Sequence, residues 1–83
     1  MKPNKRGQIV KFHTPYEDED PNDRYVTMEV IEDGEKSRAR IYALNTGMAY
    51  PPISMVPLKD LEVDELMTDQ LDYYLKYGNH NLF

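Results

Sequence analysis

Polar and apolar residues alternate along two neighbouring segments of the chain, and this period of two predicts a pair of β-strands. The segments span residues 25–32 and 36–44 and are rich in β-branched and aromatic side chains. Asp33-Gly34 lies between them. This dipeptide favours a two-residue type I′ turn, because both central positions of that turn need positive φ. The pattern therefore predicts a β-hairpin centred on Asp33-Gly34.

The turn fixes the register of the predicted hairpin, since pairing proceeds outward from its two ends. Glu29 then pairs with Arg38 across the strands on the outward face. Glu32 would lie opposite Glu35, and a longer loop over residues 32–36 would relieve that like-charge pair. The other face is apolar and is expected to point inward, and a slip of one residue would turn it outward. Its members are Val26, Met28, Val30, Ser37, Ala39 and Ile41.

Further strands and one helix are predicted on either side of the hairpin. An i, i+3, i+4 apolar stripe that begins at Leu71 predicts a helix over residues 69–77. Thr68 is suited to be its N-cap. Residues 1–6 are polar and are expected to fray. Short strands are predicted at residues 8–13, 48–50, 53–56 and 61–65.

Length and composition limit the class of protein. A chain of 83 residues is expected to form one domain. It contains no cysteine, which excludes a disulfide framework, a thiolate metal site and a thiol nucleophile. No segment approaches the roughly 20 apolar residues of a membrane span, and no apolar run follows the basic N-terminus. A cytoplasmic protein without contact to membranes is therefore expected.

Charge is distributed unevenly along the chain. The net charge is −5, but residues 1–12 hold four basic residues and no acidic ones. Residues 13–23 hold five acidic residues and no lysine or arginine. The acidic segment belongs to a predicted loop over residues 14–24, which is long for a small domain and therefore typical of a functional loop. The overall acidity argues against non-specific binding of nucleic acid.

The order of these elements resembles that of a small SH3-like barrel. The resemblance is carried by a Gly-x-Ile-Val-x-Phe opening at residues 7–12, a long loop, the Asp-Gly hairpin, and a turn formed by Val56, Pro57 and Leu61. It implies a mainly β fold in which five strands close into a barrel. The barrel would cover residues 7–66 of a single domain spanning residues 1–83, with a short C-terminal α-helix at residues 68–77.

The opening strand is also similar to that of KOW modules and of ribonuclease toxins from toxin–antitoxin systems. The chain as a whole resembles families of small bacterial or phage proteins without an assigned role. The alternating Ala, Leu, Tyr and Asp motif that opens eukaryotic SH3 domains is missing, so recognition of proline-rich peptides is not implied. The catalytic arginine and hydroxyl residues of the toxins have no match in this sequence.

No catalytic arrangement is visible in the sequence, and neither a catalytic residue nor a cofactor is predicted. The two histidines are isolated, and there is no glycine-rich phosphate loop. His13 ends the first strand, where a role as ligand or base is the minor alternative. Asp18, Asp20 and Asn22 have the spacing of a calcium loop whose last ligand would be Glu29, but Asp23 occupies the position where such a loop needs glycine. A solvated loop or an acidic contact surface is favoured over a metal site.

The favoured function is a non-catalytic module that binds another protein. Exposed tyrosines beside prolines are typical of protein contacts, and the acidic loop would steer a partner with a basic surface. Association with a second copy of the chain stays open. The predicted protein-binding residues are Tyr16, Glu17, Asp18, Glu19, Asp20, Tyr50, Pro51 and Pro52.

Two alternatives are kept. The first is a nucleic-acid-associated barrel, because cations that contact phosphates and rings that stack on bases lie together on the predicted outward face. The second is a small acidic inhibitor from a mobile element, which would imitate the charge of nucleic acid. The residues of the nucleic-acid alternative are Lys11, Arg38, Arg40 and Tyr42.

Overall fold

The secondary structure consists mainly of short strands. The structure, a computed structural model, describes residues 1–15, 17, 20–44 and 46–77, the last four by their backbone alone. Two 3-10 turns, Gly34–Lys36 and Leu58–Asp60, interrupt the strands, and one α-helix, α1, spans Glu65–Tyr77. The strands are β1 Ile9–Phe12, β2 Tyr25–Ile31, β3 Arg38–Ala43, β4 Ile53–Pro57 and β5 Leu61–Val63.

The strand predicted at residues 48–50 is not formed. Gly47 adopts a positive φ of 71°, which turns the chain away from an extended path. Pro51 and Pro52 follow and have no N–H to donate to a ladder. The chain therefore joins β3 to β4 through an irregular connection.

All five strands pair antiparallel in one sheet with the order β4-β3-β2-β1-β5. The prediction of a mainly β fold with five strands and a short C-terminal helix is confirmed. The sheet is not closed into a barrel: β4 and β5 lie at its two ends, and no pairing between them is found in the described part of the chain. The free side of β5 is used instead by the N-terminal segment, since the Val63 N–H donates to the Met1 carbonyl over 2.7 Å. The open sheet is compatible with an SH3-like arrangement.

The predicted two-residue turn is wrong, and the hairpin closes through the longer loop. Only Gly34 has a positive φ, of 55°, whereas Asp33 has a φ of −150°. The Lys36 N–H donates to the Asp33 carbonyl over 2.9 Å, which builds a 3-10 turn. Ser37 closes the loop, because its hydroxyl accepts from the Asp33 N–H and donates to the Gly34 carbonyl. Ile31 opposite Arg38 is the innermost strand pair.

The longer loop changes the register of β2 against β3. Thr27 lies opposite Ile41 and Val30 lies opposite Ala39, while Met28 is the extra residue of a β-bulge between Thr27 and Glu29. Because of this extra residue, the inward-pointing side chains of β2 are those of Thr27 and Val30, which are three positions apart instead of two. Consequently Thr27 points inward and is only 1% exposed, whereas Met28 is 40% exposed. The predicted inward position of Met28 is therefore wrong, while those of Ala39 and Ile41 are correct.

The main core lies on the inner face of the sheet. Phe12 and Tyr25 close one side of it with an edge-to-face contact of 5.4 Å between ring centroids. Leu58 enters from the 3-10 turn between β4 and β5. The buried members of the core are Val10, Ala39, Ile41, Leu58, Leu61 and Val63.

The helix packs against the outer face of the sheet over β1. Ile9 points to this face and is buried, as is Leu71 of the helix. Thr68 was predicted as the N-cap, but it lies one turn inside the helix, and its hydroxyl accepts the Ile9 N–H over 2.9 Å. Asp64 is the N-cap instead, because its carboxylate accepts the Met67 N–H over 3.1 Å. The helix therefore covers the β1 side of the outer face.

Residues 1–6 are held in place, contrary to the expectation that they fray. The Gln8 side-chain oxygen accepts the N–H groups of Asn4 and Lys5, over 2.8 and 3.1 Å. Pro3 is buried. Thr27 adds a link from the sheet, since its hydroxyl donates to the Lys5 carbonyl over 2.7 Å and accepts the Gln8 N–H over 3.0 Å. The N-terminal segment is thus anchored by a buried polar group of the bulged strand.

Replacement of Thr27 by valine tests this anchor. Valine has the same shape but leaves the Lys5 carbonyl and the Gln8 N–H without a partner, so we expect a loss of roughly 1–3 kcal/mol in the free energy of unfolding. Urea unfolding of the Thr27→Val variant measures the loss. Thr27→Ser keeps the hydroxyl and is the control. A valine variant as stable as the natural protein would contradict the assigned inward position.

Candidate functional site

Two long loops meet at one end of the sheet. The loop after β1 and the loop after β3 adjoin the same end of the sheet, where the Leu44 N–H donates to the Arg24 carbonyl over 3.0 Å. Tyr50 is 93% exposed, and Met48 beside it is also largely exposed. We call this surface the loop end, and it consists of Glu17, Asp20–Asp23 and Met48–Pro52.

The loop end contains the predicted protein-binding residues that the structure describes. Glu17, Asp20, Tyr50 and Pro52 are exposed there, and Pro51 is half-buried. Tyr16, Asp18 and Glu19 lie outside the described residues. The fold thus brings acidic and aromatic positions that are 30 or more residues apart in sequence to the same end of the molecule.

Arg24 fixes the end of the acidic segment, residues 21–23, against the start of the helix. Its Nη1 donates to the carbonyls of Pro21 and Asp23, each over 3.0 Å. Its Nε donates to the Asp64 carboxylate, also over 3.0 Å, and both side chains are mostly buried. Within the segment, the Asp20 carboxylate accepts the N–H of Asn22 over 2.8 Å. The carboxylates of Asp20 and Asp23 are therefore displayed from an ordered turn.

The pKa of the Asp64 carboxyl lies below its usual value. The hydrogen bond from the Met67 N–H is the main cause, and partial burial opposes it. The hydrogen bond and the charge of Arg24 lower the pKa further, and the charge of Lys11 adds to this. The ionised form of Asp64 is thus the form that holds helix and loop together.

A second exposed surface lies on the outer face of the sheet, beside the helix. The helix covers only the β1 side, so apolar residues of β2, β3 and β4 remain uncovered. Ile53 and Met55 of β4 are 53% and 45% exposed, in addition to Met28. A groove of about 690 Å³ separates the strip from Leu71 of the helix. We call this surface the outer strip, and it consists of Val26, Met28, Tyr42, Ile53 and Met55.

Sequence reasoning missed the outer strip as a surface. The predicted register places Val26 and Met28 in the core, so the sequence does not predict that they share an exposed face with Ile53 and Met55. No residue in the segment signals the bulge, since Met28 lies in the middle of an otherwise regular strand pattern. The only available indication was the like-charge pair of Glu32 and Glu35, which favoured the longer loop and hence a different register.

The residues of the nucleic-acid alternative are arranged as follows. Arg40 and Tyr42 lie on the outer face, where the Arg40 guanidinium is 3.4 Å from the Glu29 carboxylate. The predicted pair of Glu29 with Arg38 is therefore wrong, because the register shift exchanges the arginine. Arg38 is 3.7 Å from the Asp33 carboxylate. Lys11 lies on β1 opposite Glu62, two strands away from Tyr42.

The described residues contain no group of three or more side chains suited to hold a metal ion. Of the candidate calcium ligands, Glu29 faces Arg40, and Asp20 accepts a bond from the Asn22 backbone. His13 is exposed, and its two ring nitrogens contact the Thr14 hydroxyl and the Lys59 carbonyl. In the part of the chain that the structure describes, no helix is both long and apolar enough to cross a bilayer.

These features define a small, mainly β domain with an open antiparallel sheet, one covering helix and two exposed surfaces that carry apolar side chains. A comparison with protein-family models, curated proteins and solved structures finds no match to the chain. The loop end and the outer strip are therefore interpreted from the residues of this chain.

The pH dependence of stability tests the role of Asp64. Its pKa is lowered from 3.8 on folding, so its contribution is complete above that pH and is lost as the pH falls through the lower, folded-state value. Asp64→Asn keeps an oxygen for the Met67 N–H but removes the charge. We expect the variant to lose about 1 kcal/mol or less at pH 7, and its deficit to shrink and then vanish as the pH falls through the folded-state pKa of Asp64.

Urea unfolding at a series of pH values measures this difference. Asp72→Asn, at an exposed position of the same helix, is the matched control and should show no deficit at pH 7. A deficit of the Asp64 variant that grows on acidification would contradict the assignment.

Proposed function

We infer that this chain is a binding module without chemistry of its own, and that it recognises another protein. The observation that carries the proposal is the 93% exposure of Tyr50, two residues after the largely exposed Met48 and at the same end of the sheet as the ordered turn of residues 20–23. Folding ordinarily removes large apolar side chains from water. Contiguous exposed apolar groups with a polar rim are typical of protein interaction sites.

The loop end has the composition of a contact surface. Tyrosine and methionine are enriched at protein interfaces, because they supply a large contact area and tyrosine adds a polar tip. Two prolines, Pro51 and Pro52, directly follow Tyr50 and limit the conformational freedom of the segment. A pre-ordered segment loses less conformational entropy when a partner binds.

Charge indicates the kind of partner. Five acidic residues lie within residues 13–23, and the chain as a whole carries a net charge of −5. Such a loop attracts a basic surface and raises the association rate more than the affinity. Nucleic acid is less well supported as a partner, because Arg40 and Arg38 face carboxylates of the same chain. The proposed partner is a protein that places an apolar or aromatic group beside lysines or arginines.

Site-specific crosslinking tests the proposal. A photoreactive phenylalanine analogue at position 50 should capture one protein in cells of the native host. The analogue at position 66 is the control, because Leu66 is likewise exposed but lies on the helix. The captured protein is then purified and its affinity measured by calorimetry. We expect Tyr50→Ala to weaken binding at least about tenfold and Leu66→Ala to leave it unchanged.

The acidic loop is tested with the same purified partner. The variant E17Q/D18N/E19Q should slow association and flatten its dependence on salt concentration. The control E32Q/E35Q removes two acidic residues from the hairpin loop and should have no such effect. Equal capture from positions 50 and 66, or an affinity that Tyr50→Ala does not change, would refute the proposed surface.

A further inference from the structure

The outer edge of β4 is open along the described part of the chain. β4 is the terminal strand of the sheet and pairs only with β3. An unpaired edge strand presents its N–H and C=O groups to any strand that approaches. The occupant of this edge can be inferred from which backbone groups it presents and which side chains accompany them.

The hydrogen-bonding pattern identifies the outward-facing backbone groups. The Ala43 N–H donates to the Pro52 carbonyl, and the Leu58 N–H donates to the Ser37 carbonyl. Since bonded pairs alternate in an antiparallel ladder, Ser54 and Val56 also direct their backbone groups to β3. Ile53 and Met55 consequently direct theirs outward, and they are the only residues between Pro52 and Pro57 that do.

The edge carries neither a charged side chain nor a bulge, two of the devices that usually prevent strands from associating. Natural edge strands carry charged side chains or bulges that block an approaching strand. The sequence of β4 is Ile-Ser-Met-Val-Pro, without a charge, and its register with β3 is regular over all five pairs. The prolines at both ends only limit how far a ladder can extend. The open edge is therefore a short, uncharged segment of defined length.

We propose that β4 pairs antiparallel with β4 of a second copy of this chain, with a two-fold axis at Ser54. Ile53 of each copy then lies opposite Met55 of the other, and the two pairs exchange four hydrogen bonds. This is the register that leaves no backbone group of Ile53 or Met55 unpaired. The two sheets become one continuous sheet of ten strands.

The side chains favour the same arrangement. Ile53 and Met55 lie on the outer face and are about half exposed in the single chain. In the dimer Ile53 of each copy packs against Met55 of the other copy, so that the β4 parts of the two outer strips form one continuous apolar surface. Arg40, which lies beside Met55, already faces Glu29. The dimer therefore does not bring the charge of Arg40 close to the second copy without a compensating carboxylate.

A second copy is favoured over a strand from another protein because the edge is complementary to itself. Its two outward residues are separated by one residue, so a two-fold axis between them matches every donor with an acceptor. An isologous contact of this kind closes after two copies and leaves no further open edge at β4. The dimer uses no acidic residue of the loop end and is independent of the partner proposed there.

Single cysteines test the register of the dimer directly, because the natural chain contains none. Ser54 opposite its copy is a non-hydrogen-bonded pair, with a Cα–Cα distance of about 4.5 Å, which a disulfide can bridge. Ser54→Cys should therefore crosslink rapidly under mild oxidation. Ile53→Cys and Met55→Cys are the controls. Each lies two residues out of register with its own copy, roughly 7 Å along the strand, and should crosslink slowly.

Sedimentation equilibrium tests the association without a crosslink. The natural chain should shift from 9.8 kDa towards twice that mass as its concentration rises. Met55→Lys places charges at the axis and should remain monomeric, whereas Met28→Lys, on the same face but away from the edge, should still form dimers. Circular dichroism verifies that both variants are folded.

A chain that stays monomeric up to millimolar concentration would overturn the proposal and leave the edge to another protein. A dimer that Met55→Lys does not disrupt, or that crosslinks faster through position 53 than through position 54, would overturn the register and with it the proposed interface. Neither outcome affects the capture experiment at position 50.

Discussion

The register of β2 against β3 is the constraint on which the remaining structure depends. One extra residue in β2 lets Thr27 and Val30 both point inward although they are three positions apart. A regular strand would direct them to opposite faces. The bulge therefore decides which residues build the core and which remain in water. It also places the Thr27 hydroxyl where it joins the sheet to the N-terminal segment.

The two exposed surfaces follow from how the sheet is covered. The helix begins directly after β5, and its N-cap Asp64 is bound by Arg24, so it can only lie over the β1 side of the outer face. Of the strands, β1 makes the main contact with the helix. Met28, Ile53 and Met55 consequently stay uncovered. Arg24 also orders the acidic turn, so one side chain positions both the helix and the acidic part of the loop end.

Much of the fold was predictable from the pattern of apolar residues. The five-strand, one-helix composition and the buried positions of Ala39 and Ile41 follow from periodicity. The errors arise where a local preference competes with tertiary contacts. Asp33-Gly34 favours a two-residue turn, yet Ser37 hydrogen-bonds into the loop and stabilises a longer one. Thr68 is a good N-cap residue, but its hydroxyl is used by the Ile9 N–H, and Asp64 takes the cap.

The loop end was accessible to sequence reasoning because charge and proline content mark loops without any knowledge of register. The outer strip was not accessible in this way, because its exposure results from a bulge that no single residue indicates. The position of Met28 illustrates this: its hydrophobicity favours the core, and only the pairing of its neighbours with β3 places it outside.

The register itself is tested most directly by the short Hα–Hα distances that nuclear Overhauser spectra detect across non-hydrogen-bonded pairs of an antiparallel sheet. The bulged register predicts a strong contact between Thr27 and Ile41, because the Thr27 N–H donates to Gln8 on the other side. A strong contact between Thr27 and Arg40 would instead indicate the regular two-residue hairpin, and would contradict the core and the outer strip described above.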